Sequence, residues 1–514
     1  MAASQAEKNG LNKSVRKDRI IEVANAFEWL ITAFILAFVF RAFIMEAFRI
    51  PTGSMADTLK GDHFRLRCSQ CGYKYDHGFD TRASHVLDGT TPSGNIQLPV
   101  SRCPSCGYFD KSGRAMPVSN GDRILVLKCI YQFIGPKRWD VVVFKNPLDP
   151  KINYIKRLIA LPHESVEIID GDIYIEGQIS RKPQKVQDEL WMPVYDNDYQ
   201  PVNPDDFSFN QQTWRQPFTN LVGSKWKISE NNFTGFELDV PPENINYLTY
   251  DTSVGNDFRT TYAYDSVSDY KYMPFCSDLL VRFFATFSRP QGRVGAGLSK
   301  YGNFYQAWVD ETGFMAIEAV SGKETMQLVS NSTLPPPADK PIEVEFSNVD
   351  HLLTFKFGAD ELSYDLGRFP DDAGERDTEM QPNVTIFASG KLSLSHVAIF
   401  RDVHYTSRKF ANSPPLARAK EGEPFTLDTD EFFVLGDNSP NSEDARWWDK
   451  QGTANPGLPP YREGIVPRDY LVGKALFVYW PSGFRPFPRS RFAFIPNFGQ
   501  MRFIYGGSNT NSMH

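Results

Sequence analysis

A run of apolar residues near the N-terminus, Trp29 to Phe40, carries no charge, and Glu28 and Arg41 mark its ends. Taken from Ala26 to Met45, it just reaches the roughly 20 residues that a membrane-crossing helix needs. Every other part of the chain is too polar to cross a bilayer. The run therefore predicts a short polar head, one anchor and a long remainder that folds in water beside the membrane. A buried core helix is the alternative for a soluble chain. A cleaved signal peptide is another, but Phe43 to Ile50 is bulky and offers no small-residue cleavage site. Lys8, Lys13, Arg16, Lys17 and Arg19 precede the run. The positive-inside rule then keeps the N-terminus cytoplasmic and sends the rest outside.

That remainder is too long for one ordinary domain, since 514 residues point to about three or four units. A net charge of -7 gives no sign of nucleic-acid binding. Aromatic residues make up 14% of the chain, which suits half-buried β surfaces better than helical bundles. Strand patterns cluster from Arg123 to Ile179: Ile124-Leu-Val-Leu, Val141-Val-Val-Phe and Tyr154-Ile-Lys-Arg-Leu-Ile. Val166-Glu-Ile-Ile, Asp170-Gly171 and Ile173-Tyr-Ile together read as a β-hairpin. From Arg181 to about Glu421 alternating runs recur between turn residues, as in Leu279 to Phe287, Ile342 to Phe346 and Leu353 to Phe357. That is the pattern of an antiparallel sandwich, with the proline run inside Thr333 to Pro341 as a loop or sheet crossover.

Just past the apolar run, Phe48 to Leu59 places one serine, Ser54, behind a flexible glycine and close to the membrane surface. A serine hydroxyl is a weak nucleophile and needs an adjacent base. The eight histidines form no local triad signature, and no Gly-x-Ser-x-Gly elbow occurs. His163 alone lies in a motif-like strand region. Lysine is the other base for serine, provided burial lowers its pKa. Lys156, flanked by Ile155 and Leu158, is the candidate. On a strand Lys156 and Arg157 face opposite ways, so one points inward while the other meets solvent. The plainer reading makes both surface charges on an edge strand.

Four segments, in order, resemble the boxes of type I signal peptidases, the Ser-Lys leader peptidases of bacteria. Ile50-Pro-Thr-Gly-Ser-Met-Ala-Asp-Thr-Leu resembles the nucleophile box and Gly121-Asp-Arg-Ile-Leu-Val the strand box that follows. Tyr154-Ile-Lys-Arg-Leu-Ile-Ala-Leu-Pro resembles the base box, and Gly436-Asp-Asn-Ser-Pro-Asn-Ser-Glu-Asp-Ala-Arg the Gly-Asp-Asn box. Val466 to Ala475 is similar to the family's closing strand. The resemblance implies Ser54 as nucleophile and Lys156 as general base, with no cofactor for catalysis. It also implies that the Ser54 N–H and the Thr52 hydroxyl donate to the oxyanion. Ser442 is expected to hydrogen-bond the Lys156 amine, Asp444 and Arg446 to support the site as an ion pair, and Met55 to pack near the nucleophile. Ala56-Asp57, Ser439-Pro440, Ala445 and His163 depart from the family's common residues, yet none removes a group that the chemistry uses. The implied substrates are exported pre-proteins cut after an Ala-x-Ala-like site.

Cys68-Ser-Gln-Cys71-Gly-Tyr and Cys103-Pro-Ser-Cys106-Gly-Tyr form a matched pair that resembles a zinc ribbon. Four thiolates suit structural Zn²⁺, and the glycine after each second cysteine lets backbone N–H groups reach the sulfurs. The long spacer between the knuckles is expected to carry a hairpin or loop. Two disulfides are the competing reading, because the segment is expected to lie in an oxidising space. His63, His77 and His85 are expected to be spectators, and Cys129 and Cys276 to be buried apolar residues rather than a pair.

The expected fold is mainly β. It comprises a cytoplasmic tail (1–25), a transmembrane helix (26–47), a signal-peptidase-type antiparallel catalytic domain (48–183 and 421–490) and a C-terminal tail (491–514). The catalytic domain carries two inserts, a four-cysteine zinc ribbon (64–116) and a β-sandwich (184–420). The sandwich resembles concanavalin-like, laminin-G-type domains, which take glycan or protein ligands; the plainer reading is a spacer or partner surface. The whole then reads as a single-pass enzyme of the cytoplasmic membrane, with its catalytic domain outside the cytoplasm and the lipid bilayer and signal-peptide-bearing pre-proteins as partners. A non-catalytic surface receptor built on the sandwich is the rival, and intact Ser54, Lys156 and Ser442 speak against it.

Overall fold

The computed structural model describes residues 22–79, 94–204, 208–209, 212–228, 234–267, 273–374, 376–407, 417–454, 459–483 and 497–507. The five basic residues before the apolar run, and His85, lie outside them.

Glu22–Ile44 forms one 23-residue helix, and none of its most apolar stretch is covered by protein. At about 1.5 Å per residue it is long enough to cross the roughly 30 Å of a bilayer core. The helix passes straight into a strand, Met45–Arg49, which pairs antiparallel with Arg123–Leu127. The helix is thus continuous with this sheet.

In that sheet the strands run in the order Met45–Arg49, Arg123–Leu127, Leu471–Trp480, Val141–Lys145, Asn153–Ala160, Glu431–Leu435 and Val466–Pro467. Strands from both ends of the sequence therefore interleave. Val141, Val142, Val143 and Phe144 are all buried, so both faces of the sheet are covered here. One core contains Ile50, Met55, Leu59, Ile124, Val126 and Val478. The other contains Val142, Phe144, Leu158, Phe433 and Leu435. Within the stretch expected to be a C-terminal tail, Arg502–Phe503 pairs with Leu471–Trp480 and Ile504 enters the first core. The hairpin expected at Asp170-Gly171 is present: Ile169 pairs with Asp172, and both turn residues have positive φ (46° and 87°). That is the type I′ geometry favoured by strand twist.

Between Met192 and Arg401 two antiparallel sheets pack face to face. Val281, Phe283, Phe346 and Phe355 from one sheet share a core with Ala296, Leu298, Ile317 and Ile386 from the other. Leu279–Phe287 alternates buried and part-exposed residues over much of its length, as a strand with one packed face must. The proline run lies between Glu324–Ser332 of one sheet and Pro341–Val349 of the other, where it acts as the sheet crossover. The short helix Gln184–Leu190 sits apart from the sandwich core and buries Val186 and Leu190 in the second core of the first sheet.

The cysteine segment is built on two small hairpins, His63–Arg67 with Lys74–Gly78 and Ser101–Arg102 with Phe109–Asp110. Each carries one knuckle at its tip.

Candidate active site

Ser54 lies in the loop that leaves Met45–Arg49, and Lys156 lies in the middle of Asn153–Ala160. Though 102 residues apart in sequence, they meet: Lys156 Nζ is 2.6 Å from Ser54 Oγ. Both are buried, with Ser54 at 9% and Lys156 at 4% relative exposure. Burial pushes the lysine amine down to about 8, against the opposing pull of the Asp444 and Asp437 carboxylates. An amine at that pKa is substantially neutral near pH 8 and can accept the serine proton.

Met55 anchors the loop from within the sheet core. Gly61 and Gly121 permit its close packing. A Cβ on Gly61 would stand 2.3 Å from the Thr52 carbonyl carbon, and one on Gly121 would stand 1.9 Å from the Ile50 oxygen. Thr52 is exposed at the open side of the loop.

The Gly-Asp-Asn box closes the other side. Gly436 passes between Ser54 and Ser442, where an added Cβ would meet Ser442 Oγ at 2.3 Å and Ser54 O at 2.4 Å. The hydrogen bond expected from Ser442 to Lys156 is absent. Ser442 Oγ is buried against the Gly436 backbone and has no hydrogen-bond partner among the described residues. Asp444 and Arg446 do pair, at 2.7 and 2.9 Å, with both side chains fully buried. Asp444 also accepts the Gly436 N–H at 3.0 Å, and Arg446 donates to Ser439 Oγ and to the Ser439 and Thr406 carbonyls. The pair therefore fixes the shape of the box rather than touching Ser54.

Arg157 corrects the expectation that one of the two strand cations meets solvent. It is fully buried, and its guanidinium forms a two-pronged bond to Asp437, both contacts at 2.7 Å. The physical reason is the doubly covered sheet: Lys156 stands opposite Val142 and Arg157 opposite Val141, and both valines are buried. Alternation gave the two directions, but only the tertiary structure covered both. Asp437→Ala leaves that guanidinium buried without its counter-charge. Such a loss costs about 3–5 kcal/mol, to be read from the denaturant midpoint of the purified chain.

His163 is exposed in a turn with φ 68°, within 3.5 Å of Thr429 rather than of Ser54. Cys129 is half-buried and Cys276 buried; both are free thiols.

The four knuckle cysteines come together, with every Sγ within 4.8 Å of the others and no disulfide among them. Cys68 to Cys106 is 3.7 Å and Cys71 to Cys103 is 3.6 Å. A bonded pair would lie at about 2.05 Å, whereas four sulfurs at about 2.3 Å around one ion are about 3.8 Å apart. Gly72 and Gly107 both have φ 76°, and the Tyr73 N–H points at Cys71 Sγ, 3.5 Å away. The donor set therefore fits one tetrahedral ion. His63 turns to the Gly61 carbonyl and His77 to that of Ala263, and neither joins the cluster.

The chain matches the family model of "Signal peptidase, peptidase S26" over residues 108–227 and 391–480. It is similar to the signal peptidase I of Rickettsia canadensis, with 32% identity over 155 residues, 30% of this chain and 44% of that protein. The signal peptidase I of Rickettsia typhi is 31% identical over 143 residues, 28% of this chain and 39% of that one. The chain thus spans less than half the length of these relatives. Among solved structures, the carbohydrate-binding module CBM66 from Bacillus subtilis aligns with 36% of this chain and 94% of its own, at 10% identity and a TM-score of 0.23. The galectin LEC-6 of Caenorhabditis elegans aligns with 25% of this chain and 87% of its own, at 10% identity and a TM-score of 0.19.

Proposed function

We propose that this chain, whose catalytic segments belong to the signal peptidase S26 family, is a membrane-bound serine endopeptidase that removes N-terminal signal peptides from exported pre-proteins. The observation that carries the reading is the buried Lys156–Ser54 contact at 2.6 Å, with the amine held near pH 8.

Neutral Lys156 takes the Ser54 proton as Oγ attacks the scissile carbonyl carbon. The carbonyl electron pair moves onto oxygen, where the Ser54 N–H and the Thr52 hydroxyl stabilise it. Lysine then returns its proton to the leaving amine, and the peptide bond breaks to give an acyl-enzyme. A water gives up its proton to Lys156 and attacks the ester, and Lys156 returns that proton to Oγ as the ester bond breaks and Ser54 is released. The ten residues from Ile44 to Ser54 span at most about 35 Å, so the anchor keeps cleavage near the membrane surface. We place the N-terminus in the cytoplasm and the catalytic sheet across the membrane, where signal peptides emerge. Cys68, Cys71, Cys103 and Cys106 would hold Zn²⁺, which supplies a structural cross-link and takes no part in the cleavage.

The test is cleavage of a signal-peptide-bearing pre-protein across a pH series. Lys156 acts as a base only when neutral, so kcat/KM rises as pH climbs toward about 8 and levels above it. A rate that does not change between about pH 6 and about pH 9 would sink the lysine-base reading.

A further inference from the structure

The sandwich sends a long connection back to the nucleophile loop. It leaves the strand Asn246–Tyr250 of one sheet and reaches Leu279–Phe287 of the other. Residues 262–265 of this connection touch the serine loop and the Gly-Asp-Asn box.

Tyr262 donates its hydroxyl proton to the Asp437 carbonyl at 2.9 Å. The Tyr264 ring lies against Gly53, where an added Cβ would stand 2.2 Å from the ring, and against Gly78, where it would stand 2.4 Å away. The Tyr264 hydroxyl donates to the Asp62 carbonyl at 3.0 Å, and its carbonyl accepts the Gly78 N–H at 2.8 Å. One buried ring thus wedges between the serine loop and the first cysteine hairpin. Asp265 Oδ1 accepts Asn438 Nδ2 at 2.8 Å and Asn441 Nδ2 at 3.1 Å.

Asn438 makes the connection to the chemistry. Its Nδ2 also donates to the Gly53 carbonyl at 3.2 Å, and its backbone N–H donates to the Ser54 carbonyl at 3.1 Å. Asp265 Oδ1 accepts from this amide, which turns the nitrogen of Asn438, rather than its oxygen, toward this side. The Gly53 carbonyl and the Ser54 N–H belong to one planar peptide unit. Holding the oxygen of that unit fixes where its N–H points. That N–H is the proposed oxyanion donor.

From this geometry we infer that the sandwich connection is a strap whose Tyr264 and Asp265 position the Gly53–Ser54 peptide for oxyanion binding. The inference rests on the peptidase reading of Ser54. It makes the sandwich a determinant of turnover rather than a spacer, through positioning residues that do not touch substrate. Glycine at position 53 is what admits the ring, and the same glycine leaves the loop free to swing once the ring is gone.

The test uses the full chain in detergent, with a pre-protein as substrate and an acylating reagent that titrates reactive Ser54. Asp265→Ala and Tyr264→Ala should each lower kcat per titrated site by about 10²-fold, the scale of a misplaced donor. KM and the midpoint of the pH limb should hold, because Lys156 keeps its surroundings. Tyr264→Phe keeps the ring and should recover most of the rate. Full kcat per titrated site in both alanine variants overturns the strap, as does a loss that appears only as fewer titratable sites. Ser54→Ala run alongside separates the two readings. If it is inert while both alanine variants are fully active, the strap alone fails; if it still cleaves, the peptidase reading fails and takes the strap with it.

Discussion

Ser54→Ala and Lys156→Met should each reduce pre-protein cleavage by a factor on the order of 10⁴ or more, with the fold intact. Removing either member of a nucleophile–base unit costs nearly the whole rate, because the two act in one step. Neither change should disturb packing: Ser54→Ala deletes one oxygen, and methionine keeps an unbranched stem of similar length at the buried Lys156 position. Lys156→Arg is the sharper variant. It retains length and charge, yet a guanidinium does not deprotonate in proteins and so takes no proton from Ser54. It should be as inactive as Lys156→Met. Melting curves run in parallel tell lost chemistry from lost fold. Undiminished cleavage in any of the three, with a pre-protein whose cut site is verified by mass, removes the dyad from the mechanism.

The purified chain should carry one Zn²⁺, and Cys103→Ser should abolish it together with the order of the cysteine module. The module has a small core of its own, Phe64, Leu66, Tyr75, Phe79, Leu98 and Val118 around the sulfurs. Structural zinc sites of this kind contribute on the order of 10 kcal/mol of apparent binding free energy to folding. Metal stoichiometry on the native protein gives the first reading, and hydrogen exchange at His63–Arg67 and Lys74–Gly78 before and after chelation gives the second. Protection there should collapse when the metal is withdrawn. A metal-free protein whose mass is short by the hydrogens of two disulfides would refute the assignment. The Sγ separations of 3.6 and 3.7 Å speak for the ion.

Both sites lay open in the sequence because each depends on local residue order. A knuckle is a tight turn, so Cys-x-x-Cys-Gly fixes two ligands and the left-handed glycine within five residues. Ser54 behind Gly53, and Lys156 between apolar neighbours on a strand, are equally local. Asp444 with Arg446 is nearly so, the two lying two positions apart. What escaped the sequence was set by distant segments. Arg157 finds Asp437 across 280 residues, and the strand pattern alone left its environment open. Ser442 is at the expected box yet faces the Gly436 backbone, a detail of loop path that no spacing encodes. The C-terminal strand Arg502–Phe503 is too short to show a period, and joins the sheet only because Leu471–Trp480 presents a free edge there.

The sequence by itself determined the long apolar helix, the β-rich class, the order of the four boxes and the pairing of the two cysteine knuckles. Hydropathy, alternation and turn chemistry act over a few residues and can be read along a line. Tertiary structure decided how a serine and a lysine 102 positions apart come within 2.6 Å, and that this lysine is buried enough to lose its proton near pH 8. It also decided that a loop of the sandwich, through Tyr264 and Asp265, reaches the serine loop. Those outcomes depend on which surfaces cover which. Burial and close contact are properties of the assembled sheets, and no single segment contains them.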